Sequence, residues 1–316
     1  MKIALTRRIP QPGLERLYQA GEVWVWPHDR DMPRKEMLRE ALGAEVLVTM
    51  LSDRVDAEIM DARPSLKLIA NYAVGYNNID LEAARSRGLI VTNTPGVLTE
   101  ATADLTMALL LAAARRLAEG DRLVRRGEFM GVAPEFLLGF DLQGKTLGIF
   151  GLGRIGAAVA GRARAFGLNI IYHNRRPNPD LESEFEASWV SFDRLLAESD
   201  FLSINAPLNP ETVHRFTLRE FELMKQSAVI INTGRGRIIK EADLAEALDK
   251  GLIGAAGLDV YEFEPRVEPG LLKLENVVLA PHIGSATREV RTRMAHLVAD
   301  NVTAFAAGRT PPNKVF

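Results

Sequence analysis

Short apolar runs alternate along this chain with segments whose apolar residues recur at helical spacing. In the first third, "KIAL", "EVWVW", "EVLVTM", "LKLIAN" and "LIVTN" read as strands. Between them "PRKEMLREAL" and "NIDLEAARSRG" read as helices, the second closing on Gly88 as a helix stop. From about residue 146 a second series begins with "TLGIF", "NIIYH", "FLSINA", "AVIINT", "AAGLDV" and "NVVLA". The alternation predicts parallel sheets with helical crossovers. Two such series in 316 residues predict two α/β domains of related architecture. The segment "ATREVRTRMAHLVADNVTAFAAG" is a long helix pattern after the final strand. It is expected to pack back on the first domain and make that domain discontinuous, with a long helix near 99–118 as the other crossing. A cleft between two lobes would suit a cofactor meeting a small substrate.

Composition narrows the class. A hydrophobic fraction of 47% and a charged fraction of 25% are those of an ordinary globular protein. A net charge of −2 gives no reason to expect a nucleic acid or a membrane surface as partner. The chain has no cysteine, which excludes disulfides, thiolate metal sites and cysteine nucleophiles and fits a reducing cytoplasm. The N-terminal "MKIALTRRIPQPG" has too short an apolar run for a signal peptide. The stretch "LTMALLLAAA" at 105–114, between Asp104 and Arg115, is too short to span a bilayer. It reads as a helix buried in the protein or at a subunit contact. The expectation is a soluble cytoplasmic protein.

The sharpest local signal is "TLGIFGLGRIGAAVAGRARAFG": a strand, then Gly151-x-Gly153-x-x-Gly156, then a helix. Gly151 permits a tight turn, Gly153 lets backbone approach a pyrophosphate, and Gly156 lets the helix pack close to the strand. This predicts a dinucleotide site. An acid about 20 residues on would grip the ribose hydroxyls, but "YHNRRPN" offers Asn174, Arg175 and Arg176 instead. Without a carboxylate there is no repulsion of a 2′-phosphate, and the arginines can bind one. A solvated basic loop is the alternative; the combination favours NADP(H), with NAD(H) as second choice.

Three polar residues follow strand-like runs in the second series: Arg235 in "IINTGRGRII", Glu264 in "GLDVYEFEP" and His282 in "VVLAPHIGSAT". Strand C-terminal ends in an open parallel sheet face the cofactor crevice. A cation there could hold a substrate carboxylate, a histidine could donate a proton as hydride arrives, and an acid could orient the imidazole and favour its charged form. On these residues alone a loop Glu-Pro, a structural histidine and a surface arginine remain open. No compact cluster of metal ligands is visible, so no metal is expected.

Seven motifs in order carry a resemblance: "NYAVGYNNID", "NTPGVLTEATADLTMALLLAAAR", "DLQGKTLGIFGLGRIG", "NAPLNPET", "INTGRGRII", "AAGLDVYEFEP" and "APHIGSAT". Over essentially its whole length the chain resembles the D-isomer-specific 2-hydroxyacid dehydrogenases, in particular the glyoxylate/hydroxypyruvate reductase branch. The resemblance implies two Rossmann-like, doubly wound parallel-sheet domains with a cleft between them. Residues 1–97 plus 286–316 would bind substrate, and 98–285 the dinucleotide. It implies Arg235 as substrate anchor, His282 as acid/base and Glu264 as its partner. Leu152, Arg154 and Ile155 would lie along the pyrophosphate, while Thr102, Ala206, Pro207 and Thr212 would line the cofactor channel. Thr233, Gly234, Arg235 and Asp259 would hold the nicotinamide end, Asp259 by accepting from the carboxamide. Met50 and Leu51 would face the substrate, the amides of Val74 and Gly75 would bind its carboxylate, and Ser285 would reach the pocket. Asn77 stands where relatives often carry Asp, and Asn205 where a histidine is frequent.

The implied reaction is NAD(P)H-dependent reduction of glyoxylate or hydroxypyruvate to glycolate or D-glycerate, performed by a homodimer. Within the family, D-3-phosphoglycerate dehydrogenase, a broad 2-ketoacid reductase and phosphite dehydrogenase are the rivals. A dinucleotide-sensing co-repressor is the rival from another class.

Overall fold

The computed structural model describes residues 1–40 and 43–316. The chain divides into two compact units, Met1–Leu98 with Ser285–Phe316, and Thr99–Gly284.

The first unit holds β1 (Lys2–Leu5), β2 (Glu22–Val25), β3 (Val46–Thr49), β4 (Leu68–Asn71) and β5 (Ile90–Thr92). They form one parallel sheet in the order β2-β1-β3-β4-β5. All five strand readings therefore form strands. The central β3 and β4 are buried along their whole length, which is why they read as unbroken apolar runs. Helices Ala57–Asp61 and Leu81–Ser86 start at Asp56 and Asp80, whose carboxylates accept from the amides of Ile59 at 3.3 Å and Ala83 at 2.9 Å. Gly88 follows the second with φ +66°, a conformation suited to glycine. The reading "PRKEMLREAL" becomes a helix over Arg34–Glu40; its Ala41 and Leu42 lie outside the described residues.

The C-terminal helix Arg288–Ala306 packs on helix Gln11–Ala20 of the same unit. Gly13 makes that contact close: a Cβ there would lie 2.5 Å from the Ala295 carbonyl oxygen. Return of the chain end to the first unit is thus built on a backbone-to-backbone approach that only glycine permits.

The second unit holds β6 (Thr146–Phe150), β7 (Asn169–His173), β8 (Ala187–Trp189), β9 (Phe201–Ile204), β10 (Val229–Asn232), β11 (Ala255–Leu258) and β12 (Val277–Leu279). Its parallel sheet runs β12-β11-β10-β9-β6-β7-β8. Strand β8 is absent from the sequence reading; three residues at a sheet edge, two of them exposed, carry too little periodicity to see. The order reverses between β6 and β9, where an open α/β sheet places its ligand crevice.

The helix expected near 99–118 ends earlier. It spans Thr99–Ala114, and a second helix covers Leu117–Arg125. Arg116 between them takes φ +51°, and its guanidinium binds Glu119 twice at 2.8 Å. The first helix is buried through Leu109, Leu110, Ala113 and Ala114, whereas the second buries no residue. The change of environment at the Arg115-Arg116 pair breaks the run. Among the described residues no helix is long and apolar enough to cross a membrane.

Candidate active site

The glycine fingerprint connects β6 to helix Arg154–Ala165 in the second unit. Gly151 has φ +102°, and a Cβ on it would lie 2.6 Å from the Ala206 amide nitrogen. Backbone from β6 and β9 therefore meets across the switch point with no room for a side chain. Gly156 approaches the Gly151 carbonyl oxygen, where a Cβ would stand at 2.4 Å. Gly153 differs: a Cβ there would meet nothing within 4 Å. The space above it is open, beside the free amides of a helix start, as a pyrophosphate requires. The Asn205 Nδ2 is buried beside Ala206 and makes no hydrogen bond among the described residues, while its Oδ1 accepts from Ser203 at 2.8 Å. An orphaned donor and an open glycine cradle at one crevice fit a dinucleotide.

Asn174 follows β7 and does more than omit a charge. Its Oδ1 accepts from the Leu152 amide at 2.7 Å and its Nδ2 donates to the Leu152 carbonyl at 3.2 Å. A carboxylate has no proton for the second bond, so the amide clasps the fingerprint loop at two points. Arg175 and Arg176 follow with exposed side chains. Arg175 is 84% exposed, with Nη1 4.0 Å from Glu211, too long and too wet to hold it.

The loop after β9 carries Ala206, Pro207 and Thr212. Thr212 Oγ1 donates to the Pro207 carbonyl at 2.7 Å and accepts from the Asn209 amide at 2.9 Å. Its hydroxyl thus shapes the loop from within. Thr233 Oγ1 lies 2.8 Å from Thr106 Oγ1, and Thr102 Oγ1 donates to the Gly284 carbonyl at 3.1 Å. The buried helix Thr99–Ala114 thereby fastens the loops after β10 and β12 from below.

Arg235, Glu264 and His282 follow β10, β11 and β12, three neighbouring strands. Glu264 Oε2 lies 2.8 Å from His282 Nδ1, and its Oε1 accepts from the Tyr261 amide at 3.0 Å. Burial works against ionisation of Glu264. The hydrogen bond and charge of His282, the Tyr261 amide and the charge of Arg235 outweigh it, and the carboxyl is held below the usual carboxylate range. Arg235 is half-buried; burial lowers its guanidinium from the ordinary value and the charge of Glu264 opposes this. Its Nη1 donates to the Gly234 carbonyl at 2.7 Å. Asn232 braces the same turn, donating to the Arg235 carbonyl at 3.0 Å and accepting from the Gly234 amide at 3.1 Å.

His282 sits at φ +53°. Asp259 supports this bend: its two oxygens accept from the amides of Ile283 at 2.7 Å and Gly284 at 2.8 Å. Burial pushes the Asp259 carboxyl up, and the two amides and His282 counteract it. Two contributors escaped the sequence reading. Gly236 lies where a Cβ would stand 1.9 Å from the Tyr261 carbonyl carbon, so the Arg235 and Glu264 loops touch backbone to backbone. Tyr261 donates from its hydroxyl to the Ala280 carbonyl at 2.8 Å. The glycine-rich "GRGR" is the only sequence signal for the first, and nothing local marks the second.

In the first unit, Met50 and Leu51 form the turn after β3, and Val74 and Gly75 the turn after β4. Ser285 opens the C-terminal segment, where its carbonyl accepts from the Thr287 amide at 2.9 Å. Among the described residues no group of three His, Asp or Glu side chains could hold a metal ion.

Residues 107–284 match the model of the D-isomer specific 2-hydroxyacid dehydrogenase, NAD binding domain. A protein named glyoxylate reductase from Thermococcus litoralis is 51% identical over 99% of this chain and 96% of its own length. One of the same name from Pyrococcus horikoshii is 48% identical over 99% of this chain and 95% of its own. The crystal structure of an NADPH-dependent glyoxylate/hydroxypyruvate reductase from Sinorhizobium meliloti, in complex with NADP and malonate, is 34% identical and superposes with a TM-score of 0.87, covering 99% of this chain and 96% of that one. With the glycine fingerprint, the Arg–Glu–His set and these full-length similarities together, the chain belongs to the D-isomer-specific 2-hydroxyacid dehydrogenase family.

Proposed function

We propose that this protein reduces glyoxylate or hydroxypyruvate to glycolate or D-glycerate, with NADPH preferred over NADH. The observation that carries the reading is the His282–Glu264 pair at 2.8 Å, one strand away from Arg235 at the C-terminal edge of a dinucleotide-binding sheet. A bound dihydronicotinamide would supply the hydride. His282 Nε2, its ring oriented through Nδ1 by Glu264, gives a proton to the oxygen that becomes the hydroxyl. Arg235 holds the substrate carboxylate and stabilises the charge that develops on that oxygen. In the first unit, the amides of Val74 and Gly75, with Met50, Leu51 and Ser285, are our candidates for binding the substrate acid.

Gly151, Leu152, Gly153, Arg154, Ile155 and Gly156 take the pyrophosphate. Thr102, Ala206, Pro207, Thr212, Thr233, Gly234 and Asp259 line the remainder of the cofactor's path. The preference for NADPH rests on Asn174, neutral and turned into the fingerprint loop, and on the exposed Arg175 and Arg176 beside it. The S. meliloti relative named as NADPH-dependent supports the same choice.

Specificity constants for glyoxylate, hydroxypyruvate and pyruvate, each with NADPH and NADH, test both parts. Highest kcat/KM for one of the first two acids with NADPH is expected. A higher constant with NADH would overturn the cofactor preference, and turnover of pyruvate alone the substrate class.

We also infer a homodimer through the segment 117–138. Leu117, Val124, Met130, Val132 and Leu138 are 60–94% exposed there, a density of bare apolar side chains that a monomer seldom shows. Light scattering should give twice the chain mass, and a monomer at micromolar concentration would refute it.

A further inference from the structure

The turn at residues 73–76 of the first unit has three successive carbonyls held by one end of the sheet. Ala73 O accepts from the Thr94 amide at 2.9 Å, Val74 O from Asn93 Nδ2 at 2.8 Å and Gly75 O from Asn71 Nδ2 at 2.8 Å. All three donors lie at the C-terminal ends of β4 and β5. In a trans peptide the next N–H points away from the carbonyl. Fastening these carbonyls to the sheet end therefore turns the amides of Val74, Gly75 and Tyr76 outward. Among the described residues none of the three amides donates to another group. Successive outward N–H groups make an anion-binding concavity.

The donors are themselves held. Asn71 is fully buried; its Oδ1 accepts from Thr49 Oγ1 at 3.0 Å and from Asn78 Nδ2 at 3.2 Å. Asn78 Nδ2 also reaches the carbonyls of Met50 at 3.0 Å and Asp53 at 3.1 Å. One network thus joins the turn after β3 to the turn after β4.

We propose that Asn71 and Asn93 are positioning residues that aim a cradle formed by the Val74, Gly75 and Tyr76 amides at the carboxylate of the substrate, with Asn78 locking the Met50–Asp53 turn beside it. The inference rests on the proposed function, which puts that carboxylate at Val74 and Gly75. A cradle of amides binds well only if its donors are aimed before the anion arrives. Asn71 is suited to this because it both donates and accepts in a site closed to water. An aspartate of the same shape would set an oxygen against the Gly75 carbonyl and leave that peptide free to turn.

Steady-state kinetics of Asn71→Asp and Asn93→Ala test the proposal. Each should raise KM for glyoxylate about tenfold, the effect of one misdirected charge-assisted hydrogen bond. The kcat should stay within about threefold and KM for NADPH within about twofold of the parent values, because neither residue acts on hydride or proton transfer. A merely structural role would lower the active fraction, and hence kcat, without moving KM. Asn93 is half-buried, so its alanine variant decides the matter if Asn71→Asp does not fold. Glyoxylate KM values within twofold of the parent in the folded variants would overturn the proposal. If the parent reduces hydroxypyruvate but not glyoxylate, the same comparison applies to hydroxypyruvate. If it reduces no 2-keto acid, the proposed function fails and this inference with it.

Discussion

His282 Nδ1 stands 2.8 Å from Glu264 Oε2, and the Glu264 carboxylate is in turn held by the Tyr261 amide at 3.0 Å. The imidazole is thereby oriented with Nε2 left for chemistry. Arg235 adds a cation on the same side, which helps keep Glu264 ionised.

Changing His282 to Gln should lower kcat by about 10²–10⁴, the span for lost acid–base catalysis, while a fluorescence titration finds NADPH binding nearly intact. Near-normal turnover would remove His282 from the mechanism. For Glu264 the sign follows from its depressed carboxyl: the contribution of the pair is present above the ordinary value of 4.5 and is lost only as pH falls through the lower folded value. The Glu264–His282 pair should therefore persist down to about pH 4.5. Glu264→Gln should lower kcat/KM and remove the acid limb that protonation of Glu264 gives the parent below about pH 4.5. A parent-like acid limb in the variant would count against the coupling.

Gly236 supplies a test of the contact between the two catalytic loops. A Cβ at this position would lie 1.9 Å from the Tyr261 carbonyl carbon and oxygen, backbone atoms that cannot rotate aside. Gly236→Ala should cost about 1–3 kcal/mol in denaturant unfolding, as overpacking does, and should reduce kcat/KM because the Arg235 turn and the Glu264 loop are wedged apart. Parent-like stability together with parent-like turnover would show that the loops yield freely.

Asp53 gives a pH-dependent stability. Burial pushes its carboxyl up to about 6, against the hydrogen bonds from Thr6 and the Met50 amide and with a small push from Asp31. A raised carboxyl pKa means the folded state holds the proton longer, so this group's contribution is full below about 4 and is lost as pH rises through about 6. Relative to the parent, Asp53→Asn should therefore gain about 1–1.5 kcal/mol between pH 5 and pH 7.5, measured by denaturant unfolding at both values. An equal difference at the two pH values would mean that Asp53 titrates normally.

Arg175 is the side chain to remove first for cofactor choice, since its 4.0 Å approach to Glu211 leaves it available. Arg175→Ala should lower kcat/KM for NADPH about 10–100-fold, the worth of a charge-assisted bond to a phosphate. NADH turnover should change little. If both cofactors lose equally, the selector lies elsewhere.

Much of this was legible along the chain because it is written in local order. The five strands of the first unit and six of the seven in the second announce themselves as apolar runs; β3, β4, β9, β10 and β11 do so because burial along their whole length leaves little choice of residue. Gly151, Gly153 and Gly156 declare their turn because backbone approach forbids side chains. Arg235, Glu264 and His282 are each visible as polar residues after a strand. Their partnership was not derivable from the residues singly and came into view through seven motifs in order.

By itself, then, the sequence determined most of the element types, the glycine turn and the neutral residue at 174, all set by neighbours within a few positions, and it identified the candidate catalytic groups through motifs spread along the chain. Tertiary structure alone decided which groups meet. It broke the helix expected over 99–118 at Arg116, where burial gives way to exposure. It turned the Asn174 amide into the fingerprint loop and gave both oxygens of Asp259 to the backbone that bends His282. It also pressed Gly236 against Tyr261 and drew Asn71, Asn78 and Asn93 around one turn. Those contacts depend on strand order and on distances between segments far apart in the chain, which no local pattern of residues encodes.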